Sequence, residues 1–197
     1  IPAIMNFSVG VEQTMPGGIL FGVNYLRKRG ENGYVFDPQT AADHPLGIAG
    51  LPEPHGILIW KLQNARTEEH DSFEIDAAKK FVFGKRYADL AAHYARMRTF
   101  SNSSLYVFLD EPTRFGDRAG RMPYDTPNRL IAEGIVQAAR NNSFSFYFEW
   151  RSGFPYSAFD EEGMQVGELN NRRMPDFKNL NVRYERKFSL FGNKIGL

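Results

Sequence analysis

Apolar and polar residues alternate along much of this chain with a period of two. The clearest run is SFSFYFEWRSGFPYS at 143–157, where Phe144, Phe146, Phe148 and Trp150 alternate with Ser143, Ser145, Tyr147, Glu149 and Arg151. Successive side chains of a strand point to opposite faces, so the run predicts a strand with one aromatic face and one polar face. The same pattern recurs. Met5, Phe7, Val9 and Val11 share a face near the start, and Phe21, Val23 and Tyr25 share one after PGG at 16–18. Phe73, Ile75, Ala77 and Phe81 oppose Glu74, Asp76, Ala78 and Lys80, with Lys79 interrupting the apolar side. Ala88, Leu90, Ala92 and Tyr94 oppose Asp89, Ala91, His93 and Ala95, in a run (88–97) whose composition could also suit a helix but whose neighbours are strands. A weaker strand covers 129–139. The last full one has Leu180, Val182, Tyr184, Phe188 and Leu190 against Asn179, Asn181, Arg183, Glu185, Lys187 and Ser189.

The connections alternate in length. PGG at 16–18, GKR at 84–86, RNN at 140–142 and FGNK at 191–194 are short turns rich in residues that reach positive φ cheaply. Between them lie long polar segments at roughly 31–56, 102–128 and 161–175. Such loops are uncommon inside a compact domain. Outer-membrane barrels have short turns on one side and long loops on the other.

Composition narrows the classes. The chain has 197 residues, 24 Lys+Arg against 23 Asp+Glu, and no cysteine. The charge balance offers no attraction for nucleic acid, so no nucleic-acid partner is expected. The lack of cysteine rules out disulfides and thiolate chemistry. No run of about 18 apolar residues occurs, which excludes a transmembrane helix. A mean hydropathy of −0.44 is compatible with a membrane β-barrel, whose signal is alternation. There is no repeat, low-complexity tract or linker.

Alternation alone fits an antiparallel sheet packed on a soluble core. Three features favour lipid as the solvent of the apolar face. The polar faces are densely charged (Glu74, Asp76, Lys80; Arg183, Glu185, Lys187), the apolar faces end in Tyr25, Tyr94, Trp150 and Tyr184, and short turns alternate with long loops. The expected fold is therefore all-β: antiparallel up-and-down strands forming part of a large transmembrane outer-membrane β-barrel, about seven strands plus the start of an eighth.

A resemblance adds to this. Ser152, Gly153, Pro155 and Tyr156, followed by Asn170, Arg173, Pro175 and Phe177, resemble the C-terminal barrel strands of TonB-dependent outer-membrane receptors. The similarity is nearest to receptors with a carboxypeptidase-regulatory-like N-terminal extension. YDTPNR at 124–129 resembles the start of the preceding family strand, where His often stands in place of Asn128. The likeness is good over about 120–197 and extends to strand pattern alone over 1–119. It implies that residues 1–197 are a C-terminal fragment of such a barrel, without the plug domain and closing strand; after the FGNK turn only Ile195, Gly196 and Leu197 remain. It further implies a location in the outer membrane of a Gram-negative-type bacterium and energised uptake of a large or scarce solute. The partners would be outer-membrane lipid, the protein's own plug domain, TonB through the missing N-terminal part, and an unidentified extracellular ligand. Some such receptors serve surface attachment instead. The alternative is a soluble β-rich binding or adhesion module of carbohydrate-binding type.

No catalytic, cofactor-binding or metal-ligating residue is expected, and the substrate-binding residues are unassigned. In EEHD (68–71) with Glu74 and Asp76, a strand turns Glu68, His70, Glu74 and Asp76 one way and Glu69 and Asp71 the other, which suits a solvated ladder. His44 and His55 lie in a Pro-rich loop, and no His pair has zinc-site spacing. His93 on the polar face suits a lumen or plug contact. RSGFPYS lacks a nucleophile elbow, and no phosphate-binding loop occurs. Tyr106, Phe108, Phe115 and Tyr124 with Arg114, Arg118 and Arg121 could meet a surface ligand or pack on one another.

Overall fold

The computed structural model describes residues 1–39, 59–103, 119–139, 141–161, 165–190 and 193–196. Every regular element among them is a strand: β1 (Ala3–Met15), β2 (Ile19–Gln39), β3 (Ile59–Phe83), β4 (Arg86–Ser101), β5 (Gly120–Arg121), β6 (Asn128–Ala139), β7 (Asn142–Arg151), β8 (Pro155–Tyr156), β9 (Ala158–Phe159), β10 (Gln165–Val166), β11 (Arg172–Arg173), β12 (Phe177–Leu190) and β13 (Asn193–Gly196). One antiparallel sheet runs β1-β2-β3-β4-β6-β7-β12-β13, with β5 beside β4. This is an up-and-down order of seven long strands and a short eighth. The sheet is open, with β1 and β13 at its edges. Residues 88–97 are strand, and the period of two holds there.

All the short turns fall at one end of the sheet and all the long connections at the other. Met15 and Ile19 pair across the first turn, where Gly17 and Gly18 both have positive φ (86° and 75°), a conformation that costs glycine little. The β3–β4 turn closes at Phe83 and Arg86, with Gly84 alone at positive φ (62°). The long connections begin with more strand than the sequence pattern suggests. β2 continues to Gln39 against β3 from Ile59, past register shifts at Gly30, Gly33 and Tyr34, with Asn32 at φ 57°. Those bulges break the alternation, which is why the stretch reads as loop. Two small ribbons likewise follow β7: β8 pairs with β11, and β9 with β10.

Register carries the alternation across the whole sheet. Tyr184, Phe144, Val136, Ala88 and Phe81 form one cross-strand row, and Leu180, Phe148, Ala132, Ala92, Ala77 and Phe21 form another. Val11 and Val9 of β1 lie opposite Val23 and Tyr25, so seven strands share one apolar face. Opposite it, Glu12, Gly22, Asp76, His93, Ile131 and Glu149 line up on the polar face. Nothing among the described residues forms a second layer, and only Val35, Ala95 and Met122 are buried apolar side chains. Val11 (69% exposed), Leu180 (62%) and Phe7 (57%) stand open on the apolar face. Lys79, the interruption in that face, lays its ammonium 4.5 Å over the Phe81 ring, close to Gly17 in the turn. Its stem follows apolar surface while its charge reaches the rim.

Candidate functional site

Three groups of side chains carry chemistry: the polar face, the roots of the long connections, and the aromatic rim of the apolar face. On the polar face the carboxylates are held by neighbours. Asn24 and Ser72 donate to Glu74 at 3.3 and 3.0 Å, Arg129 donates to Glu149 at 2.9 Å, and His93 Nδ1 meets Asp76. His70 Nδ1 lies 2.7 Å from Thr99 Oγ1. As strand geometry requires, Glu68, His70, Glu74 and Asp76 share this face while Glu69 and Asp71 occupy the other. Among the described residues no three His, Asp or Glu side chains are grouped as a metal would need.

The polar face has hollows at mid-height and toward the long connections. At mid-height a hollow of about 240 Å³ lies between Glu12, Gly22, Asp76, Ala91, His93 and Glu133. Toward the long connections a second, of about 230 Å³, is lined by Ile4, Lys28, Gly30, Glu68, His70 and Tyr124. Glu68 organises its wall, accepting the Tyr124 hydroxyl on one oxygen and the Arg66 guanidinium on the other. Burial, then the bond to Glu68, push the Tyr124 phenol well above the ordinary tyrosine range. Of the aromatic–arginine loop considered from sequence, Tyr124 lines this hollow and Arg121 lies on β5 opposite Phe100; Tyr106, Phe108, Arg114, Phe115 and Arg118 lie outside the described residues, as do His44 and His55.

Three short motifs converge at the root of the long connections. Asp125 of YDTPNR is fully buried, and its carboxylate accepts the Thr99 backbone N–H at 2.7 Å, where the β4 ladder would otherwise lack a partner. Arg121 binds the same carboxylate at 3.2 Å, and Arg173 of NNRRMP pairs with it as well. Arg173 also donates to the carbonyls of Asp125 (2.7 Å) and Gly153 (3.1 Å), the latter in RSGFPYS. Asn170, at φ 55°, donates to Arg121 O at 2.7 Å. Asn128 accepts from Tyr94 and donates to Ser152 Oγ at 3.2 Å. The motifs were visible in sequence, but their mutual pairing was not. A buried Asp beside two arginines distant in the chain leaves no local pattern.

On the apolar face the aromatic side chains end in polar bonds. Toward the long connections, Tyr25 donates to Asp71 at 2.7 Å, Tyr94 to Asn128 at 2.8 Å and Trp150 Nε1 to Asp176 at 3.1 Å. Register places Tyr94 and Trp150 in one row and Tyr25 in the next. At the turn end Tyr184 donates to Asn142 at 2.9 Å. Rings on apolar surface with their polar tips turned outward at both ends define a band bounded by wet edges.

No family model, curated protein or solved structure matches the chain.

Proposed function

We propose that the chain is part of the wall of an outer-membrane β-barrel receptor of the TonB-dependent type, serving energised uptake of a large or scarce solute. One observation supports the barrel part: among the described residues, seven strands present a single apolar face, no layer covers it, and three buried apolar side chains are all the core. A water-soluble sheet must bury such a face against another element. Lipid satisfies it without one. The dimensions agree. Phe73 to Phe83 covers ten residue steps, about 34 Å along the strand at about 3.4 Å per residue. Tilted by about 40°, that length rises about 26 Å, against the ~25 Å apolar band of such barrels. Short turns at one end, long connections at the other and aromatic rims at both support the same assignment.

The receptor type rests on the three motifs around Asp125 and Arg173, which resemble that family's strand starts and loop exits. The polar face then lines the lumen, and the hollow beside Glu68, Lys28 and Tyr124 opens toward the loop side, where a solute arrives. The barrel is tested by quenching Trp150 fluorescence with phospholipids brominated along the chains, in the natural protein with Trp60 and any tryptophan outside this chain replaced by Phe. Strong quenching supports the wall. A Trp150 untouched by bromine sinks it and favours a soluble β-rich binding module. The receptor type is tested by solute uptake in cells with and without TonB. Equal uptake in both removes the energised role.

A further inference from the structure

Just beyond the Tyr25–Tyr94–Trp150 rim, the apolar face carries a cluster of arginines. Arg96 pairs in register with Phe73, in the row of Tyr25; one row further out, Arg27, Asp71 and Arg98 stand side by side on β2, β3 and β4. Arg29 and Glu69 follow in the next row. The acids do not neutralise the cluster evenly. Asp71 lies opposite Arg98 but turns to the Tyr25 hydroxyl at 2.7 Å and toward Arg27 at 3.7 Å. Glu69 leans to Arg29 at 3.8 Å. Among the described residues no carboxylate pairs with Arg96 or Arg98, although both are exposed. Arg98 rests its guanidinium 5.8 Å over the Phe100 ring. Arg27 Nε is covered and makes no hydrogen bond.

We propose that Arg96 and Arg98, with Arg27 beside them, bind the phosphate of an anionic lipid headgroup whose acyl chains lie on the apolar face below. The inference rests on the wall assignment above and adds a partner to it. Position argues for lipid: the guanidiniums adjoin, on the same face, the row where tyrosine and tryptophan tips leave the apolar band. Chemistry argues for phosphate. A guanidinium offers a planar fork matched to phosphate oxygens and is weakly hydrated enough to sit at such a boundary. Arg27 and Arg98 stand two strand spacings apart, roughly 10 Å, so both side chains can reach one headgroup.

The test uses the natural protein that carries this chain, reconstituted in phosphatidylcholine bilayers containing a trace of spin-labelled lipid. The association of spin-labelled phosphatidic acid is compared with that of spin-labelled phosphatidylcholine. The wild type should prefer phosphatidic acid, and the preference should fall about fivefold for each arginine lost in Arg96→Gln and Arg98→Gln. Arg29→Gln, which removes a guanidinium already facing Glu69, should leave it nearly unchanged. Trp150 quenching by brominated lipid checks that each variant has inserted. A preference retained by the inserted double variant, or lost equally in Arg29→Gln, overturns the site and leaves the wall assignment standing. If the wild type immobilises neither labelled lipid, the wall assignment fails and the lipid site with it.

Discussion

Asp125 and Arg173, 48 residues apart in the chain, meet as a carboxylate–guanidinium pair in which the acid has no exposed surface. The pair joins the link before β6 to β11, and through Gly153 O it also holds the segment leaving β7. A buried carboxylate that loses its main cation keeps the cost of desolvation. Arg173→Ala should therefore destabilise by about 3 kcal/mol. Arg121, whose side chain is 45% exposed, shares the carboxylate from the solvent side, and Arg121→Ala should cost under about 1 kcal/mol. Asp125→Asn keeps an acceptor for the Thr99 N–H and should fall between the two. Urea unfolding of the four proteins gives the order. Equal losses for the two arginine variants would break the assignment of Arg173 as the main partner.

Gly153 and Gly134 are both crowded, but by different atoms. A Cβ on Gly153 would run into the Met174 carbonyl oxygen, within a contact tied by the Met174 N–H to Phe154 O bond of 2.9 Å. At Gly134 the nearest atoms belong to side chains, Leu90 Cδ2 at 2.5 Å and Phe146 Cε1 at 2.8 Å. Side chains can change rotamer; a backbone carbonyl has no rotamer to change, and this one belongs to a residue whose N–H is already tied to Phe154 O. Gly153→Ala should cost about 3 kcal/mol and Gly134→Ala about 1 kcal/mol. Amide exchange at Met174 should quicken in the first variant alone.

How much of this was legible in the sequence follows from the range over which each feature is encoded. Face assignment is local, because a period of two tells Phe146 from Tyr147 without any knowledge of partners. The seven long strands were visible for that reason, as was the split of Glu68 and His70 from Glu69 and Asp71; the start of the eighth was expected from the FGNK turn and the resemblance instead. Strand ends were not. At Gly30–Tyr34 the pattern is broken by bulges, and pairing continues beyond them to Gln39. Lys79 looked like a fault in the apolar face because reach along a strand is not a sequence property; its stem runs over Phe81 to the turn. The Asp125–Arg173 pair and the Glu68–Tyr124 bond depend on loops folding back, and no spacing announces them.

Tyr124 ties alkaline stability to the wall of the loop-side hollow. The folded protein holds its phenol proton more tightly than the unfolded chain, whose tyrosines titrate near about 10. Above that pH the unfolded chain binds fewer protons than the folded one, so stability declines as pH rises toward the folded value. Tyr124→Phe removes this contribution. Unfolding measured in steps from neutral pH to strongly alkaline should show a shallower decline in the variant than in the wild type. At neutral pH the variant should be weaker by about 1 kcal/mol, for the lost bond to Glu68. Parallel curves would mean that partial burial and the bond to Glu68 do not hold the phenol proton.

The sharpest test of the apolar face uses depth. Phe146 lies near the middle of the band on β7, Trp150 at its loop-side rim, and Ser145 on the polar face beside Phe146, one residue toward the short turn. An arginine facing the centre of a bilayer costs about 2–4 kcal/mol in such barrels, and near the interface only about 0–1 kcal/mol. Phe146→Arg should accordingly lower stability by about 3 kcal/mol in phosphatidylcholine vesicles, whereas Trp150→Arg should lose little beyond its ring packing and its bond to Asp176. Ser145→Arg, turned to water, should be nearly neutral. The order depends on lipid as the solvent. On a sheet whose apolar face met water, Phe146→Arg would replace one exposed group by another and cost almost nothing. Under a protein layer, the penalty would follow packing at each site and would not fall off at the rim. Three midpoints from urea titrations in vesicles separate these cases.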